Sequence, residues 1–143
     1  MEQKDYILRE IEKIGQMLRM LVDRIKRMKS TDSETISQQM DEHLDQIIDR
    51  MGFDLKESLE LGEMEFEAYL IGLSGYSVPN LELLADLLVE IGSGSGQPRR
   101  SECLRSALRI YVTARKLDRT FSITREEKIQ DTISLLSGPL GQW

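Results

Sequence analysis

A chain of 143 residues is long enough to bury a sizeable core as one domain without help from disulfides or metal. Only 6% of its residues are aromatic and three are proline, while Leu, Ile, Met, Glu, Arg and Lys dominate, which favours helices over strands and predicts an all-α fold. Cys103 is the single cysteine, which excludes an internal disulfide, and no apolar run reaches the roughly 18 residues needed to cross a bilayer. The opening Met1-Glu2-Gln3-Lys4-Asp5 leads straight into an amphipathic pattern without the basic and apolar regions of a secretory signal, so a cytoplasmic location of bacterial type is expected. The net charge of -6 is unevenly laid out: +3 over residues 1–29, -13 over 30–98 and +4 over 99–143. Two arrangements account for this. Basic and acidic helices lie beside one another, within the bundle or across a self-association contact, or the acidic middle is a docking surface for a basic partner.

The first element is a helix over residues 1–29. Ile7, Ile11, Ile14, Leu18, Leu21, Ile25 and Met28 alternate spacings of four and three, a heptad seam. Leu8, Met17 and Val22 widen it beyond the stripe of a two-stranded coiled coil, so the helix is expected to bury against its own bundle, with a homodimer zipped through the same helix as the alternative. Leu18 and Leu21, in the middle of the seam, are the candidate contact residues under either reading. The polar face mixes Glu10, Glu12 and Asp23 with its cations, which argues against a membrane-surface helix. Arg24, Lys26, Arg27 and Lys29 fall where cations offset the partial negative charge of a helix end.

Thr31 and Glu34 have the spacing of a capping box, and Gly52 can take the left-handed conformation that closes a helix, so a second helix is predicted over 32–51. Its apolar stripe is Ile36, Met40, Leu44, Ile47, Ile48 and Met51, with His43 at the boundary. Asp41, Asp45 and Asp49 share one face of it and form a candidate acidic contact surface. Asp54 and Glu57 begin a short helical turn to about Leu61; Gly62 interrupts, and a further helix runs to about Leu73. Gly72, Gly75 and Pro79 loosen the chain before Asn80, read as the cap of the next helix. Gly92-Ser93-Gly94-Ser95-Gly96 reads as a flexible link, lacking the Lys-Ser/Thr of a phosphate-binding loop. Thr124 and Glu127 announce a last helix that buries Ile129, Ile133 and Leu136 before Gly138-Pro139 stops it, with Trp143 at the end of the tail.

Leu81, Leu84, Ala85, Leu88 and Gly92 on one arm, with Ala107, Tyr111 and Ala114 on the other, put small residues where a neighbouring helix must approach closely. On these positions residues 81–118 resemble a tetratricopeptide repeat, and the last helix, from Arg125, would stack as the start of a further unit. The resemblance implies a C-terminal half of α-α superhelix type, over residues 80–137, whose surface grips peptides or partner domains and performs no chemistry. The stretch Asp5 to Glu12 also resembles the opening of small bacterial helical proteins, which supplies no activity.

Chemistry finds little to build on. A divalent site in a bundle core would want Glu-x-x-His on facing helices, and the chain has one histidine, His43, with Met40 three positions before it. Cys103, followed by Leu104 on what reads as a packed helix side, is expected to be a small buried thiol. No catalytic, cofactor or metal constellation is therefore expected. Arg99, Arg100, Arg105, Arg109, Arg115, Lys116 and Arg119 make one helix basic, and Arg105 and Arg109 share a face of it as contact candidates. Yet a pI near 4.9 disfavours nucleic acid. The expectation is an all-α bundle of six or seven helices that serves as a protein-interaction or assembly module. A homodimeric structural protein is the second reading and a nucleic-acid-associated regulator the third.

Overall fold

The computed structural model describes residues 2–29 and 46–138, and every regular element among them is a helix. These are α1 (Glu2–Lys29), α2 (Leu55–Glu60), α3 (Glu63–Ile71), α4 (Val78–Ser93), α5 (Arg99–Leu117) and α6 (Ile123–Ser137). Residues 46–50 add a helical stretch ahead of α2. The chain is thus the all-α bundle its composition predicts. The helix expected over 32–51 is seen in its last turns; Thr31, Glu34, Ile36, Met40, Asp41, His43, Leu44 and Asp45 lie outside the described residues.

Those last turns close as anticipated. Gly52 takes φ +78°, and its N–H reaches the Asp49 carbonyl at 2.9 Å while Phe53 N–H reaches that of Ile48 at 3.3 Å. Asp54 then caps α2, its carboxylate accepting from Glu57 N–H at 3.0 Å.

α4 and α5 form the centre of the molecule, with Gly92 beside Cys103 and Asp86 bonded to Tyr111, so they run antiparallel. Leu84, Ala85, Leu88, Ala107, Tyr111 and Ala114 are all buried, as the two-arm spacing predicts. The cap of α4 is Ser77, not Asn80: the Ser77 hydroxyl accepts from Asn80 N–H, and Pro79 sits in the first turn, where its missing N–H costs nothing. The supposed flexible link is shorter than its composition suggests. α4 continues through Gly92 and Ser93, and a Cβ at Gly92 would meet Cys103 Cβ at 3.0 Å and the Arg100 carbonyl at 3.2 Å, so this glycine is there for close approach to α5.

α1 packs on α4 and runs in the same direction: Asn80 near the start of α4 donates through Nδ2 to the Ile11 carbonyl at 2.8 Å, while Lys29 reaches Glu90 and Ser93 at its end. Leu18, Val22 and Ile25 are buried there. The first turns of α1 are not: Tyr6, Ile7 and Leu8 are exposed. α6 packs on α5 and touches α4. It starts two residues earlier than Thr124 suggests, because Ser122 is the cap, accepting from Arg125 N–H at 3.1 Å. Ile129 and Leu136 are buried as expected, but Ile133 is exposed.

Candidate interaction surface

Glu82, Asp86 and Glu90 follow one another every four residues along α4, and each meets a cation from another helix. Glu90 Oε2 holds Lys29 Nζ of α1 at 2.7 Å, Asp86 Oδ2 holds Lys128 Nζ of α6 at 3.0 Å, and Glu82 Oε2 lies 3.7 Å from Arg125 Nη1 of α6. The acidic middle of the sequence is thus partly neutralised by its two basic ends inside the fold. Ordering of Glu82 with Arg125 and Asp86 with Lys128 also shows that α6 runs parallel to α4, with α5 antiparallel to both.

Arg125 is the buried member of this network, only 2% exposed. Its Nη1 reaches Asp118 Oδ2 at 2.8 Å and its Nη2 the Thr120 carbonyl at 3.0 Å, while Nε has no partner. The bond from Arg125, with one from Thr120 N–H, holds the Asp118 carboxyl below its ordinary value of 3.8. Glu82 moves the other way. Partial burial raises it above 4.5, against the pull of Arg125 and Lys128. Tyr111, whose hydroxyl donates to Asp86, is raised by burial and by that carboxylate, so it stays neutral.

Arg109 clamps α2 and α3 onto α5. Its guanidinium donates to the carbonyls of Ser58 at 3.0 Å and Leu61 at 2.8 Å, and lies 4.0 Å from the centre of the Phe66 ring. Burial lowers its pKa, and Glu63 opposes that. Beyond this clamp α3 stands away from α5, leaving a groove of about 400 Å³ lined by Glu63, Phe66, Glu67, Leu108, Val112 and Lys116 among others. Its far end is bridged by Glu67 and Lys116 at 2.8 Å, a bond that raises the Lys116 pKa. Next to it the outer surface of α2 and α3 carries Glu57, Glu60, Glu63 and Glu65, all exposed, and none has an ion-pair partner among the described residues. Met64, in their midst, is 84% exposed.

The contact candidates chosen from sequence fall apart in space. Leu18 is buried by the chain's own helices and Leu21 half-buried beside it. Asp49 is exposed, and its companions Asp41 and Asp45 lie outside the described residues. Arg105 is exposed on α5, whereas Arg109, one turn on, is turned onto the α2–α3 carbonyls instead of standing free beside it. Sequence reasoning missed the acid row of α4, for which the four-residue spacing of Glu82, Asp86 and Glu90 was the available signal. It also missed the groove, which depends on how far α3 stands from α5 and has no counterpart in local pattern. Cys103 is buried as expected. Among the described residues no three metal-ligating side chains cluster, and no helix is long and apolar enough to cross a membrane. No protein-family model, no curated protein and no solved structure matches the chain.

Proposed function

We propose that this chain is a non-enzymatic protein-interaction or assembly module, with a tetratricopeptide-like C-terminal half. The observation that carries the reading is the open groove between α3 and α5, floored by Phe66, Leu108 and Val112, beside a surface where Met64 stands in water. The antiparallel α4 and α5, with α6 parallel to α4, supply the helix-pair-plus-one arrangement that stacked repeats require. Ala85 in place of the family's glycine, Arg119 in place of its proline and a link between the arms longer than the family's mark the departures from that pattern. Arg109, one of the two arginines named as contact candidates on the basic helix, is engaged by protein carbonyls, which weighs against the regulator reading. A photo-crosslinking residue placed in turn at Tyr6, Met64 and Phe121 tests the module in its native host: a discrete crosslinked protein from at least one position is expected, and its absence from all three overturns the proposal.

A homodimer is the second reading, favoured by Tyr6, Ile7 and Leu8, which continue the α1 seam into water. Light scattering on the native chain and on Ile7→Asp decides it, with a dimer reduced to a monomer expected and a native monomer fatal to it.

A further inference from the structure

α3 is apolar on two sides. Phe66 and Leu70 are buried toward the core, while a second stripe, Met64, Ala68 and Ile71, spaced four and three residues apart, is exposed, Met64 to 84% and Ile71 to 60%. A helix with apolar residues on both sides calls for cover on both, and among the described residues only the inner side has it. The uncovered stripe stands beside the groove. Glu63 and Glu67 line the groove on α3, and Met64 and Ala68 come one position later, about 100° further round the helix. One face of the molecule therefore carries an apolar ridge next to a groove floored by Phe66, Leu108 and Val112.

Helices dock by setting a ridge of one into a groove of another. With both parts side by side, a two-fold axis along the groove lets each copy give a ridge and receive one, α3 of either copy lying between α3 and α5 of the other. Charge favours such a copy over a charged stranger. The groove lining balances, Glu63 and Glu67 on α3 against Arg109 and Lys116 on α5, so it selects neither a strongly basic nor a strongly acidic occupant. Two chains of net charge -6 repel one another, and a balanced face is where that repulsion is weakest. In the two-fold arrangement the entering α3 brings Glu63 and Glu67 against an α5 that bears Arg105 and Lys116, both exposed. Exchanging the Glu67–Lys116 bridge within one chain for the same bridge between two costs little, because Lys116 is well exposed.

Resting on the assembly reading, we propose that two copies of this chain pair through the α3–α5 face, the Met64, Ala68 and Ile71 ridge of each seated in the groove of the other. Sedimentation of the native chain over a dilution series from about 1 μM to 1 mM shows a monomer passing to a dimer. Met64→Asp with Ile71→Asp, both at exposed positions, and separately Arg105→Glu with Lys116→Glu, raise the dissociation constant at least about tenfold while circular dichroism shows the helices intact. Met64→Cys in one batch and Val112→Cys in another, mixed and treated with a short bismaleimide, give a crosslinked pair containing one chain of each kind, which the native chain with its buried Cys103 does not. A native chain that stays monomeric throughout, variants that fold and dimerise like the native chain, or absence of the mixed pair each overturn the assignment. A dimer lost in Ile7→Asp and kept in Met64→Asp with Ile71→Asp would hand the contact to α1 and overturn it too. Crosslinks to host proteins from a native chain that stays monomeric would remove self-pairing yet leave the interaction module standing; loss of both removes both.

Discussion

Arg125 and Lys128 both pair with acids of α4, yet they carry different weight because one is buried and the other half-exposed. Removing Arg125 strips a charge from a site that is 2% exposed and takes away the bonds to Asp118 Oδ2 and the Thr120 carbonyl, so Arg125→Ala is expected to cost about 3 kcal/mol. Lys128→Ala, at a solvated pair, is expected to cost less than about 1 kcal/mol. Urea titration of both variants checks the contrast. The same node sets a pH dependence with two opposed parts. Asp118 has a folded pKa below its ordinary value, so the stability it contributes is present above that value and is lost as pH falls through the folded one. Glu82 has a raised folded pKa, so its ionisation is disfavoured by the fold and it lowers stability as pH rises out of the carboxylate range. Glu82→Gln should therefore melt at a higher temperature than the native chain near pH 7, and that advantage should vanish near pH 3, well below the ordinary glutamate value of 4.5, where the carboxyl carries its proton in the folded and the unfolded chain alike. Thermal melts by circular dichroism at the two pH values read it directly.

At the scale of elements, the α4–α5 hairpin was the most legible part of the sequence, because close approach leaves a visible mark: Ala85, Gly92, Ala107 and Ala114 stand where anything larger collides. Ala107 is fully buried, so Ala107→Glu is expected to destabilise by roughly 3 kcal/mol or more. A change under about 0.5 kcal/mol in chemical denaturation would contradict that packing. Helix starts were legible only to within a turn. Ser77 and Ser122 are the true caps, and in each case another polar residue, Asn80 or Thr124, lies just inside the helix and looks equally suitable in a linear reading. Asn80 is withheld from capping by a tertiary demand, since its side chain bonds the Ile11 and Gly75 carbonyls. The Gly-Ser run misled for a similar reason: composition signals mobility, whereas Gly92 is pressed against α5 and the Ser95 hydroxyl is tied to the Ile91 carbonyl at 2.7 Å. The groove between α3 and α5 was illegible because it is a distance between elements, set by how the Arg109 clamp holds the α2–α3 turn.

Over the whole molecule, the heptad seam of α1 is a divided surface. Its centre is covered by the chain itself, with Leu18 fully buried, whereas Ile7 and Leu8 near its start are in water. Leu18→Asp is accordingly expected to abolish the helix signal instead of yielding a folded species of lower mass, and light scattering with circular dichroism on the purified variant distinguishes the two. A soluble, folded variant of half the native mass would mean that a second copy supplies the cover. Charge follows the same logic at this scale: the alternation of basic, acidic and basic segments is met in part by the contacts of α4 with α1 and α6, and the exposed acids of α2 and α3 lie outside those pairs.

The contact between Gly92 and Cys103 equips the chain with a clock. Because Cys103 is its sole thiol and is buried where α4 presses on α5, a thiol reagent can modify the chain only during the moments when that hairpin parts. The labelling rate in excess reagent therefore counts openings of the molecular centre without any engineered probe. Under native conditions labelling should be slower than for the unfolded chain by the full equilibrium factor for opening. Arg109→Ala, which releases α2 and α3 from α5, should leave that rate nearly unchanged if those two helices detach as a unit of their own, and should accelerate it if the molecule opens only as a whole.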